Sequence, residues 1–183
     1  MKIISLMVDA TEDCQLGCRY CYFGQKCHHK MNVDKIFEAI LRMMRVFKID
    51  AIKINYMGGE PLMAWKEILQ LNKKLKDANV DFRWGMTSNL ISLDEDKTQH
   101  MISEKASIHA SIDGDEKSHN LNRPYRDGRP SYVEVAKNIP NALKITPRDT
   151  ARVTITPETA GSSMEICDSL FDKGYHFKHH LFP

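Results

Sequence analysis

Three cysteines sit in the run Cys14-Gln15-Leu16-Gly17-Cys18-Arg19-Tyr20-Cys21, spaced C-x3-C-x2-C with an aromatic before the last thiol. Closely spaced thiolates are the ligands of iron–sulfur clusters, and a four-iron cubane held by only three of them keeps one iron open for another ligand. An open iron points to chemistry rather than simple electron storage. The same run also admits a structural zinc site with Cys27 or His28 as fourth ligand, since closed zinc sites take four Cys or His donors. Five cysteines in all, four of them between positions 14 and 27, do not form a secreted disulfide framework; an odd count leaves one unpaired, and a reducing cytoplasm fits better.

The elements that must position these thiols follow from periodicity. Residues 3–8 form a short apolar run, read as a buried strand, and the Cys-rich stretch 11–30 has no period, as in a functional loop. Asn32 can cap a helix whose apolar positions Val33, Ile36, Phe37, Ile40, Leu41, Met44 and Phe47 recur at steps of three and four. Strand 51–57, broken by Gly58-Gly59, is followed by a helix over 62–78. Strand 80–87 leads to a helix over 94–104, and strand 106–112 ends at Asp113-Gly114. The segment 123–130 is irregular, 131–138 helical until Pro140 ends or kinks it, and 148–156 a fifth strand. A helix over 161–173 should bury Met164, Cys167, Leu170 and Phe171, with Gly174 as its C-terminal cap, and 176–182 would be a sixth strand. Strands alternating with helices predict an α/β fold with a parallel sheet and right-handed crossovers.

In such sheets ligands bind at the carboxyl ends of strands, where the unusual residues of this chain also fall. The Cys loop follows strand one, Gly58-Gly59-Glu60-Pro61 strand two, Thr87-Ser88-Asn89 strand three, Ser111-Ile112-Asp113-Gly114 strand four and Thr154-Ile155-Thr156 strand five.

These residues, in this order, resemble the radical S-adenosylmethionine (SAM) superfamily, and within it the peptide- and protein-modifying branch of anaerobic sulfatase maturases and SPASM-type maturases. The resemblance implies a partial (β/α)6 barrel, a parallel sheet with outer helices ending at strand six. It makes Cys14, Cys18 and Cys21 the ligands of a [4Fe–4S] cluster, with Tyr20 packed by cluster and adenine. Gly58, Gly59 and Glu60 match the GGEP element that binds the SAM ammonium. Ser88 lies where such proteins often carry Thr-Asn-Gly, so the chain departs from the pattern there. Ser111 and Asp113 match a Ser-x-Asp-Gly element near the ribose and methionine moieties. Arg123 matches an Arg that pairs with a carboxylate of SAM or substrate, although Asn120 stands where Asp is usual.

The implied activity is reductive cleavage of SAM to a 5′-deoxyadenosyl radical that abstracts hydrogen from a substrate, a peptide or protein side chain in this branch. The implied partners are that substrate, an electron donor such as flavodoxin or ferredoxin, and room for a partner chain that completes the barrel. Relatives in the branch are longer, so 1–183 is expected to be a core domain, C-terminally incomplete and without a SPASM-type auxiliary cluster domain. Two other functions remain compatible: radical chemistry on a small molecule, or a noncatalytic metal-binding or regulatory module built from a truncated barrel. Cys27 reads first as an uninvolved thiol, with a substrate-facing group and an auxiliary ligand as the alternatives; Cys167 reads as core, and His28-His29 and His179-His180 as solvated. A formal net charge of +2, with acids and bases interleaved, gives no reason to invoke nucleic acid or a membrane surface. No apolar run is long enough for a membrane span.

Overall fold

The computed structural model describes residues 1–24, 26–147, 149 and 151–176. Four strands, β1 (Ile3–Thr11), β2 (Ala51–Gly58), β3 (Asp81–Ser88) and β4 (Ser107–Ala110), follow one another in the sheet order β1-β2-β3-β4. The pairs β1/β2 and β2/β3 are parallel, with registers that start at Ile3↔Ala51 and Ala51↔Asp81. The α/β class and the recurring strand, loop and helix are those expected from the sequence. The chain divides into two compact units, the first Met1–Cys14 with Phe23–Thr87, the second Gln15–Tyr22 with the described part of Ser88–Pro183.

In the first unit, helix α1 (Val33–Phe47) begins where expected, the Asn32 side chain accepting the Lys35 N–H at 3.0 Å. Its apolar stripe is less buried than its spacing predicts: Ile40 is buried, whereas Leu41 and Phe47 are exposed. The 62–78 helix is divided into a 3-10 turn, Pro61–Ala64, and helix α2 (Trp65–Asp77). The core is built from Ile52, Ile54 and Tyr56 of β2, Ile68, Leu71 and Leu75 of α2, and Trp84 and Met86 of β3. The Tyr56 hydroxyl donates to Asn72 Oδ1 at 2.7 Å, so this core keeps no unpaired phenol. Strand β1 is half-buried rather than buried. Val8 and Ala10 face inward while Ile3 and Met7 on the alternate positions are exposed. Between Asp9 and Thr11 the register against β2 shifts by one residue, and Ala10 and Thr11 are both buried.

In the second unit, β4, helix α3 (Glu95–Ser103), helix α5 (Tyr132–Lys137), helix α6 (Ile139–Ile145) and helix α7 (Ser163–Asp172) enclose Leu90, Met101, Ile108, Ala110, Ile112, Val135, Ala142, Ile166 and Leu170. Pro140 sits in the first turn of α6, so it divides α5 from α6 as its missing N–H requires. A short helix α4 (Glu116–Asn122), capped by Asp115, follows β4 and was not expected. Gly114, at φ +84°, is a position where a Cβ would lie 2.7 Å from an Ile166 methyl, so α7 packs on bare backbone there. This corrects the expected face of α7: Ile166 and Leu170 are buried, and Met164 and Phe171 are exposed.

Among the described residues the expected fifth strand is reduced to one parallel bridge, Ser111↔Arg152, positions 148 and 150 lying outside them. Side chains take the backbone groups a ladder would use. Thr154 N–H donates to Asp113 Oδ1, Asn122 Nδ2 donates to Thr154 O, and Thr156 N–H donates to Thr159 Oγ1. Positions 177–182 of the expected sixth strand lie outside the described residues.

Candidate cluster and cofactor site

Within the first unit the Gly58-Gly59-Glu60 run continues the pairing of β2 past the end of β1. Gly59 N–H donates to Thr11 O and Glu60 N–H to Asp13 O, both at 2.7 Å. A Cβ on Gly58 would lie 2.2 Å from Thr11 O, and one on Gly59 2.1 Å from Asp13 O. The glycines therefore admit the chain's own backbone at 11–13, which leads directly into Cys14. The Cys14 N–H is in turn held by Asp13 Oδ1 at 2.9 Å, and the residue is buried. Glu60 is only 1% exposed; its Oε1 accepts the Leu62 N–H at 3.1 Å and caps the 3-10 turn whose first residue is Pro61.

Within the second unit the segment Gln15–Tyr22 runs antiparallel to 122–126. Gly17 N–H donates to Pro124 O, Arg19 N–H to Asn122 O and Arg126 N–H to Gln15 O, with a bridge Leu16↔Tyr125. Gln15 is further tied by its amide to Ser92 Oγ and by its carbonyl to Asn89 Nδ2. Cys18 and Cys21 are half-buried, and Cys21 N–H donates to Cys18 O at 3.1 Å. Ser88 Oγ accepts the Leu90 N–H, and Ser88 O accepts the Ser111 N–H at 2.8 Å, which aligns these two serines at adjacent strand ends.

Asp113 organises the candidate residues of the second unit. Its Oδ2 accepts the Tyr20 hydroxyl at 2.7 Å and lies 3.0 Å from Arg123 Nε, while Oδ1 accepts the Thr154 N–H at 2.9 Å. Asp113 is 0% exposed and Arg123 8%, so this is a buried ion pair, without an aligned hydrogen bond from Nε. The guanidinium also covers the Tyr20 ring at 5.2 Å from its centroid and donates to Arg152 O. Burial would lower the Arg123 pKa, but the charge of Asp113 opposes it, and on balance it is raised. Burial pushes the Tyr20 phenol up as well, Arg123 opposing and Asp113 adding to it. Arg123 thus faces Asp113, and both oxygens of Asp113 have internal partners, an arrangement that positions Tyr20.

His119 extends the network, and sequence reasoning gave it no role. Asp113 N–H donates to His119 Nδ1, which leaves the proton on Nε2 to meet Ser131 Oγ at 3.1 Å; Ser131 Oγ–H donates to Arg123 O. Burial, then the Arg123 charge, lowers the His119 pKa to about 4, in keeping with a neutral ring. Asn120, standing where Asp is usual, uses its Oδ1 to accept the N–H groups of Ser131 and Tyr132.

The sequence profile of the Radical SAM superfamily matches residues 8–170, nearly the whole chain. The chain belongs to the radical SAM superfamily. That superfamily of enzymes uses a [4Fe–4S] cluster and SAM. Among curated proteins, an uncharacterized protein of Methanocaldococcus jannaschii is 27% identical over 136 residues, covering 73% of this chain and 46% of its own length. The serine-type anaerobic sulfatase-maturating enzyme of Bacteroides thetaiotaomicron is 26% identical over 142 residues, covering 72% of this chain and 34% of that protein. Among solved structures, anSMEcpe with bound AdoMet and the Cp18Cys peptide superposes with TM-score 0.82 at 21% identity, over 97% of this chain and 50% of that one. This radical SAM chain thus spans about half, or less, of the length of the relatives it matches. No helix among the described residues is long and apolar enough to cross a membrane.

The donor set fits the family's cluster. Three thiols lie in one short run, none of the five cysteines is in a disulfide, and the run has no fourth thiol to close the last iron.

Proposed function

We propose that this chain is the SAM-binding core of a radical enzyme that modifies a peptide or protein side chain in the cytoplasm. The observation that carries the reading is the family match over residues 8–170, which contains every candidate ligand from Cys14 to Arg123 in order. Cys14, Cys18 and Cys21 are assigned to the [4Fe–4S] cluster. When bound, the reduced cluster and SAM supply a 5′-deoxyadenosyl radical that takes a hydrogen atom from the substrate. The chain's own residues bind and orient. Glu60, in its buried strand-end turn with Gly58 and Gly59, supplies the negative charge that the SAM ammonium requires. The hydroxyls of Ser88 and Ser111 offer hydrogen bonds to the ribose. Tyr20 packs by the cluster, and Asp113 and Arg123 hold its ring still. Peptide specificity is supported by similarity to the sulfatase-maturating enzymes and to a fold solved with a bound peptide. A flavodoxin- or ferredoxin-type donor supplies the electron.

Anaerobic reconstitution with iron, sulfide, SAM and a strong reductant should release 5′-deoxyadenosine, and Cys14→Ala should abolish that release. No release from folded, cluster-loaded protein overturns the proposal.

A further inference from the structure

Among the described residues of the first unit, a group of metal-ligating side chains includes none of the three cluster cysteines. Glu12, Cys27 and His29 each offer one ligand atom, and these atoms all lie within 4.8 Å of one another. The backbone explains why. The Cys loop leaves β1 and returns beside it: Glu12 N–H donates to His29 O at 3.0 Å, Thr11 Oγ1 donates to the same carbonyl at 2.7 Å, and Met31 N–H donates to Ala10 O. With the antiparallel bridge Thr11↔Lys30, the two ends of the loop form a neck across which Glu12 faces His29. Cys27, two residues earlier, completes the group.

The spacing of this group suits a shared ion as well as a direct hydrogen bond. At the neighbouring position His28 Nδ1 lies 2.6 Å from Asp13 Oδ2, a full-strength contact. His29 Nδ1 and Glu12 Oε2 stand 3.3 Å apart, long for such a bond. Two donors each about 2.0–2.1 Å from a tetrahedral zinc ion are separated by about 3.3–3.4 Å. The donor types select the metal: a thiolate and an imidazole favour zinc over calcium or magnesium, which take oxygen ligands. One thiolate and one carboxylate also neutralise a divalent ion.

We propose that Glu12, Cys27 and His29 bind a zinc ion, with water in the fourth position, and that this ion closes the neck of the loop that carries Cys14, Cys18 and Cys21. Its role is structural: it ties the outgoing and returning ends of the loop together, which limits the freedom of the segment between them.

The test uses the full chain, first loaded anaerobically with its iron–sulfur cluster so that Cys14, Cys18 and Cys21 are filled, then equilibrated with zinc and desalted. About one equivalent of zinc is expected in addition to the iron. Zinc-edge X-ray absorption should show one sulfur at about 2.3 Å and the remaining donors at about 2.0–2.1 Å. Cys27→Ser and His29→Ala should lose the zinc and keep the iron, and the Cys14→Ser/Cys18→Ser/Cys21→Ser variant should keep zinc with the same one-sulfur shell. Absence of zinc from the cluster-loaded wild type overturns the proposal. So does a shell of three sulfurs, which would place zinc on vacant cluster thiolates, or full zinc retention in Cys27→Ser. None of these readouts depends on SAM cleavage, so the zinc site and the radical activity succeed or fail separately.

Discussion

The two units hold their candidate residues by opposite means. In the first, Gly58, Gly59 and Glu60 are locked to Thr11 and Asp13 by backbone hydrogen bonds at van der Waals closeness, and side chains matter mainly by being absent. In the second, Tyr20, Asp113, Arg123 and His119 are held by buried charge and side-chain hydrogen bonds. A backbone clamp is sensitive to added volume; a charge network is sensitive to lost partners and to protons.

Removing the network's anion should have the largest effect. Asp113→Ala strands the Arg123 guanidinium in a buried site and is expected to cost about 3–5 kcal/mol in urea unfolding. Asp113→Ala combined with Arg123→Met should recover part of the loss, and strict additivity would show that the ion pair does not hold the network together. Adding one methyl to the clamp comes next. Gly59→Ala must displace the Asp13 carbonyl and is expected to cost about 3 kcal/mol, with a lowered iron content on reconstitution because Cys14 follows Asp13 directly. Gly24→Ala, where a Cβ meets nothing within 4 Å, is the control and should change neither stability nor iron content.

Acid should separate the two mechanisms further. His119 has its pKa lowered to about 4 from an ordinary 6.5, so the unfolded chain takes up the proton first as pH falls. The stability this neutral ring contributes is complete above about pH 6.5. It is lost on descending to about pH 4, by up to about 3 kcal/mol. His119→Gln should flatten that part of the pH–stability profile, while Gly59→Ala should shift the profile without changing its shape. The smallest effect is expected from Tyr20→Phe, which removes one hydrogen bond from a carboxylate that keeps two other partners, at about 1–2 kcal/mol. A loss as large as that of Asp113→Ala would make the phenol, not the ion pair, the centre of the network.

The same contrast explains what could be read from the sequence. The clamp announces itself as adjacent residues: two glycines, an acid and a proline after an apolar strand leave few backbone solutions. The ends of β3 and β4 and the Asn32 cap were legible for the same local reason. The network was not, because Tyr20 and Asp113 are separated by 93 positions and nothing local in either implies the other. Strand five failed because β-branched composition says nothing about which side chains will occupy its backbone groups. Helix α7 was legible but its buried face was not, because it carries two apolar stripes. Spacing alone could not tell that Gly114 would receive Ile166 rather than Met164 or Phe171. The Glu12, Cys27 and His29 group has no sequence signature, since its members meet only after the loop closes.

The register shift between Asp9 and Thr11 bears on how this chain can vary. Side chains on a strand alternate between faces, so one extra residue inverts the parity of everything that follows. Deleting or inserting a single residue between Asp9 and Thr11 would turn Thr11 to the opposite face and carry its hydroxyl away from the His29 carbonyl, while leaving every motif letter intact.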